Sequence, residues 1–195
     1  MNHYSSQHKG FTLVETLVAI SLLMLAILGP LSISSAGLRN SAYARDQITA
    51  YYLAQEGIEY VRYVRDDNFI KKYAGGGNGW LDGLDNCIVD GAGDYGCVLD
   101  SPAWFAGYSN FLYACITQLC DNDQDPKMYV TSDGYYAYGY LSPDSVLSQY
   151  KRVITVVPVT NDEVKIVSTM TWKAGGGLEK TFVLTENLFN LYKNR

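Results

Sequence analysis

Histidine is almost missing from this chain: of 195 residues only His3 and His8 are histidine, both within the first ten. Beyond residue 10 there is therefore no Ser-His-Asp or Cys-His arrangement, no imidazole metal ligand and no imidazole general base. Paired carboxylates remain as a catalytic option, yet no two acids stand in a recognisable catalytic motif. Clustered positive charge is scarce as well. With 15 Lys and Arg against 20 Asp and Glu, the net charge is -5, the wrong balance for a general nucleic-acid binder, whose phosphate contacts need a basic patch. The two local basic pairs, Lys71-Lys72 and Lys151-Arg152, are read as solvated surface.

Charge is also nearly missing from the apolar run that follows Gly10 and reaches Leu28. At about 18 residues it is near the shortest length that crosses a bilayer as a helix. Only Glu15 interrupts it. An ionised carboxylate inside such a segment costs about 2.5 to 3.5 kcal/mol on insertion scales, so it calls for a partner or a purpose. The mean hydropathy of -0.07 conceals this contrast, because the first 38 residues are strongly apolar and the rest is polar and rich in Gly and Tyr.

The stretch Lys9-Gly10-Phe11-Thr12-Leu13-Val14-Glu15, with the apolar helix behind it, resembles the prepilin signature of type IV pilins and pseudopilins. That resemblance implies cleavage between Gly10 and Phe11 by a prepilin peptidase, N-methylation of Phe11, and pairing of Glu15 with the Phe11 amine of a neighbouring subunit, which would set the axial register of a filament. A carboxylate and an ammonium attract strongly in a medium of low dielectric, and either left alone there is penalised. Residues 1–10 would then be a leader, and both histidines would leave with it.

Three plainer readings compete. Ser34-Ser35-Ala36 has the small residues of an ordinary signal-peptidase site, but the apolar run exceeds the roughly 7 to 15 residues of a signal core and Glu15 would be purposeless in it. A plain signal anchor leaves Glu15 equally unexplained. A buried helix of a soluble protein needs more covering chain than follows.

Residues 11–37 form the expected transmembrane or filament-core half of an N-terminal helix, and residues 38–72 its amphipathic half. Gly29-Pro30 should break or kink it, since proline lacks a donor and crowds the preceding turn; the alternative is that it ends the membrane-spanning part. In the second half Ile48, Tyr51, Ala54, Ile58 and Val61 follow helical spacing on one face, while Arg45, Gln55, Glu59 and Arg62 lie largely elsewhere. Together the halves predict about 55 residues of helix, roughly 80 Å at 1.5 Å per residue. Gly57 within it suggests close approach of another backbone or strand. The words Leu53-Ala54-Gln55-Glu56-Gly57-Ile58-Glu59 and Arg62-Tyr63-Val64-Arg65-Asp66 are similar to the helix of PilV-type minor pilins.

Residues 73–150 change character. Gly75-Gly76-Gly77-Asn78-Gly79 and repeated Asp-Gly, Gly-Asp and Ser-Pro pairs predict loops, short strands and a turn or two of helix. Here lie Cys87, Cys97, Cys115 and Cys120. An even count in an exported segment suits disulfides, whereas Cys-x9-Cys and Cys-x4-Cys match no standard zinc site. Three pairings are open; Cys87–Cys97 with Cys115–Cys120 closes the shortest loops. Asp121, Asp123 and Asp125 offer the alternating oxygens with which a calcium loop begins, but Pro126 stands where the turn needs glycine and Ser132 where the bidentate glutamate belongs. A solvated acidic turn is the plainer reading, and no cofactor is expected.

Residues 151–195 read as an antiparallel meander. Strands over Lys151–Val159, Val164–Lys173 and Leu178 to about Thr185 are separated by Thr160-Asn161-Asp162-Glu163 and Ala174-Gly175-Gly176-Gly177, with Pro158 near a strand end or edge. The expected fold is α+β and pilin-like: a long N-terminal helix packed on this meander, with a loop-rich, disulfide-bearing insertion. By resemblance the chain is a structural subunit, not an enzyme, of a type IV pilus or type II secretion-like filament. Its partners would be other pilins or pseudopilins, the prepilin peptidase, an assembly platform, and membrane lipid before assembly. It would sit in the cytoplasmic membrane by a single pass, with its C-terminal domain outside the cytoplasm, and then in a surface or periplasmic filament. The alternative is a filament-displayed adhesin or ligand- or DNA-binding subunit that uses the aromatic loops of 73–150.

Overall fold

The structure is a computed structural model that describes residues 10, 12–76, 79–91, 94–99, 112–116, 127–138, 144–174 and 177–191. It forms two compact units, Met1–Ala44 and Arg45–Arg195. One helix, α1 (Leu13–Tyr73, 61 residues), contributes to both.

In the first unit every described residue is exposed except Ala36, which is half-buried. Leu13 through Leu38 show the solvent a continuous apolar surface, and the segment is long and apolar enough to cross a membrane. Its hydroxyls fit such surroundings. Thr16, Ser21, Ser32 and Ser35 each donate to a carbonyl three or four residues back, at 2.8 to 2.9 Å, so none of these donors needs water. At Gly29-Pro30, where a break or kink is expected, α1 remains helical through both residues, so the helix is not interrupted there. Proline deletes a single N–H donor, and the hydrogen bonds of the neighbouring turns still hold the helix.

In the second unit the remainder of α1 lies on a seven-stranded sheet. The expected meander is present as β5 (Val146–Thr160), β6 (Glu163–Lys173) and β7 (Glu179–Phe189). Strand β5 starts at Val146, earlier than the composition suggested, and Pro158 falls two residues from its end. The middle of the chain also joins the sheet. Along the β5 edge opposite β6, β1 (Asp94–Leu99) pairs at Ile154, while β3 (Lys127–Val130) pairs from Val146 to Lys151. Strand β2 (Leu112–Ile116) then pairs with β1, and the short β4 (Tyr136–Ala137) with β3. A 3-10 turn at Asp85–Cys87 is fastened to β1 by the disulfide Cys87–Cys97, one of the two pairings expected. The other lies outside the described residues, since Cys120 does.

The helix meets the sheet through Ala50, Leu53, Ala54, Gly57, Val61 and Val64. Of the expected face Ala54, Ile58 and Val61 are buried, whereas Ile48 and Tyr51 are exposed, so the seam is turned toward Ala50, Leu53 and Gly57. Small residues decide it. A Cβ on Gly57 would come within 3.0 Å of the Ile154 side chain and 3.1 Å of Ser168 Oγ, so glycine brings the helix against β5 and β6. Gly96 solves a second close approach: its φ is +85°, and a Cβ there would meet the Ile154 carbonyl oxygen at 2.4 Å. Any side chain at 96 therefore pushes β1 off β5.

Candidate functional site

The sequence candidates cluster at the start of α1. Gly10 is exposed, and Phe11 lies outside the described residues, so the geometry of the bond between them is not on view. Thr12 opens the helix. Its Oγ1 accepts from the Glu15 N–H at 3.3 Å, and its carbonyl accepts from the Thr16 N–H at 3.2 Å. Thr12 is thus the N-cap, a role the motif concealed although the Thr-x-x-Glu spacing of a capping box signals it.

Glu15 completes only half of that box. Its amide is used, whereas its carboxylate has no hydrogen-bond or ion-pair partner among the described residues. From Thr12 to Leu38 it is the sole ionisable side chain, and the large apolar residues around it, Leu13, Val14, Leu17 and Val18, are 53 to 76% exposed. A first-turn carboxylate gains from the helix dipole by about 0.3 to 1 kcal/mol, well below the cost of burying it alone in lipid. What the arrangement offers is an unpaired anion at one end of an apolar helix that nothing else in the described chain covers.

The calcium candidates Asp121, Asp123 and Asp125 lie outside the described residues. Among the described residues no group of three His, Cys, Asp or Glu could hold a metal. The middle of the chain, where described, is secured by apolar contact and by the buried disulfide, both of whose cysteines are inaccessible to solvent.

A second polar centre went unnoticed in the sequence. Arg152, expected at the surface, is fully buried. Alternation along β5 puts it on the same face as Tyr150, Ile154 and Val156, which is the face beneath the helix. There its guanidinium donates to the Leu53 carbonyl at 2.8 Å, to Glu56 Oε2 at 2.5 Å and to the Leu99 carbonyl at 3.3 Å. Tyr138 brackets its backbone, accepting from the Arg152 N–H at 2.7 Å and donating to the Arg152 carbonyl. One side chain thereby ties α1, β1 and β5 together. The signal was available in the inward parity of position 152 between two tracts of buried apolar residues. A further ion pair joins Arg62 of α1 to Glu186 of β7, and Arg62 also holds Glu59 at 2.6 Å. The hydrogen bond that Arg62 donates to Glu186 is the main cause that raises the Arg62 pKa.

The model of one family, the prokaryotic N-terminal methylation motif, matches residues 5–29. No curated protein and no solved structure matches the chain.

Proposed function

We propose that this chain, a type IV pilin-like precursor by its N-terminal methylation motif, is a minor pilin or pseudopilin: a structural subunit that a dedicated machine draws from the membrane into a helical filament. The motif implies processing by prepilin peptidase and assembly with other pilins. The observation that carries the assembly role is Glu15. A carboxylate without a partner among the described residues, set in the first turn of an apolar helix that they leave uncovered, is suited to the Phe11 amine of a neighbour. Apolar helices packed side by side then keep from water the surface that lipid covered before. A structural role agrees with a sequence that, freed of residues 1–10, contains no histidine and no recognisable catalytic carboxylate motif.

Mass and N-terminal sequence of the mature protein test the processing step. A start at methylated Phe11 is expected, and a start after Ala36 replaces the reading with ordinary secretion. Glu15→Ala tests assembly. It should be cleaved normally yet enter filaments at least about tenfold less efficiently, in keeping with the loss of a desolvated ion pair. Normal incorporation of that variant removes the register role from Glu15.

A further inference from the structure

Strand β7 is an edge left open in a way proteins ordinarily avoid. Among the described residues it pairs only with β6, through an unbroken register from Glu163↔Phe189 to Lys173↔Glu179. It is 11 residues long, contains no Pro or Gly, and has no bulge against β6. Proline, bulges, short length or inward charges usually blunt such edges. Only the last device is present, as Lys180 and Glu186 on the helix-facing side, and the two carry opposite signs.

Their placement is symmetrical about Val183. If a second β7 is laid antiparallel along the first with Val183 opposite its own copy, Lys180 falls opposite Glu186, Phe182 opposite Leu184, Thr181 opposite Thr185, and Glu179 opposite Asn187. Every pair matches in character. A slip of two residues in either direction sets Lys180 against Leu184 or Leu188, and a slip of one turns the second sheet over. Charge at the edge favours the same register. Arg62 serves two carboxylates, Glu59 and Glu186, which leaves one negative charge beside β7. Lys180, which has no ion-pair partner among the described residues, would bring the missing cation from the second copy.

We propose that β7 is a homotypic docking edge, at which two copies of this chain join their sheets across a two-fold axis at Val183. Backbone hydrogen bonds supply the attraction and the cross-strand pairs select the register. This goes beyond the subunit role. A two-fold contact closes after two copies and reverses the sense of every strand, so it cannot propagate a filament of like-oriented subunits. It cross-links copies that belong to separate filaments.

The full-length chain in detergent micelles tests this with single cysteines added on the outward face of β7. Val183→Cys should form a disulfide-linked dimer under mild oxidation. Thr181→Cys or Thr185→Cys alone should form at least about fivefold less, while a mixture of the two should restore cross-linking. Lys180→Glu in the Val183→Cys background should lower the yield about fivefold, because two attractive pairs become repulsive. Association through the apolar helix would not discriminate among positions on β7. Equal cross-linking at 181, 183 and 185, or none at 183 with Trp fluorescence unchanged, overturns the proposal. Either result leaves the pilin reading untouched, since that rests on processing at Gly10.

Discussion

The two units of this protein draw on the same helix for opposite purposes. From Leu13 to Leu38 it is apolar apart from Glu15 and uncovered by the described residues, and the hydroxyls of Thr16, Ser21, Ser32 and Ser35 are satisfied within the helix. From Arg45 to Tyr73 it is covered along one seam, and buried polar groups fasten it to a sheet. The first stretch is built for whatever replaces water around it, lipid or other helices. The second obtains its surroundings from its own chain. Glu15 and Arg152 express the difference in single residues: one is a charge with no partner in the described chain, the other a charge whose partners are all internal.

The sharpest way to break the comparison is to take the internal partner away. Arg152→Met retains length and apolar volume but removes the hydrogen bonds to the Leu53 and Leu99 carbonyls and the ion pair with Glu56. The unfolding free energy of the second unit should fall by about 3 kcal/mol, at the lower end of the range for breaking a buried pair because Glu56 is partly exposed. All three tryptophans lie beyond Ala44, so Trp fluorescence in a denaturant titration follows that unit alone. A loss below about 1 kcal/mol would mean that Arg152 fills space and fastens nothing.

A smaller effect sharpens the contrast, because the same substitution should have opposite signs in the two units. At Gly29 an added Cβ meets nothing within 4 Å, whereas at Gly57 it meets Ile154 at 3.0 Å. Gly29→Ala should stabilise its stretch by about 1 kcal/mol through helix propensity. Gly57→Ala makes the same gain and then loses about 1 to 3 kcal/mol to overpacking, a net cost wherever Ile154 cannot move aside. Amide exchange along α1 reads both. Stabilisation at 57 would show that the seam is looser than its contacts imply.

These two glycines also show what could be read from sequence. Gly57 stood out because glycine in a helix must be explained, and close approach of a strand proved to be the explanation. Periodicity placed Ala54, Ile58 and Val61 in the seam correctly, but it also drew in the exposed Ile48 and Tyr51, because large apolar residues dominate such a reading, and it passed over Ala50 and Leu53. At Gly29-Pro30 one missing donor does not interrupt the helix, because the hydrogen bonds of the neighbouring turns remain. The meander and the Cys87–Cys97 pairing were legible because alternation and short loop closure are local properties. The burial of Arg152 was not, because it depends on Leu53, Glu56 and Leu99, far away in sequence. Within the candidate site Glu15 was conspicuous against its apolar background, and Thr12, hidden inside the same motif, passed as part of it.

The mildest test is pH. Burial raises the pKa of Tyr60 and Tyr150 above the ordinary phenol value of 10.0, and for Tyr60 the charges of Tyr63 and Asp67 add to the effect. A raised pKa means that the fold favours the neutral phenol. The stability it contributes is therefore complete below pH 10 and is lost as pH climbs toward the folded-state value. For Tyr60 alone the loss should reach about 1 kcal/mol at pH 11. Denaturant titrations followed by Trp fluorescence should show the decline above pH 10, and Tyr60→Phe should remove part of it. Between Thr12 and Leu38 there is no tyrosine, so helicity of that stretch in micelles should stay level over the same range. A parallel decline there would mean that the first stretch takes its stability from the second unit, and the contrast between a helix completed by its own sheet and one completed from outside would no longer hold.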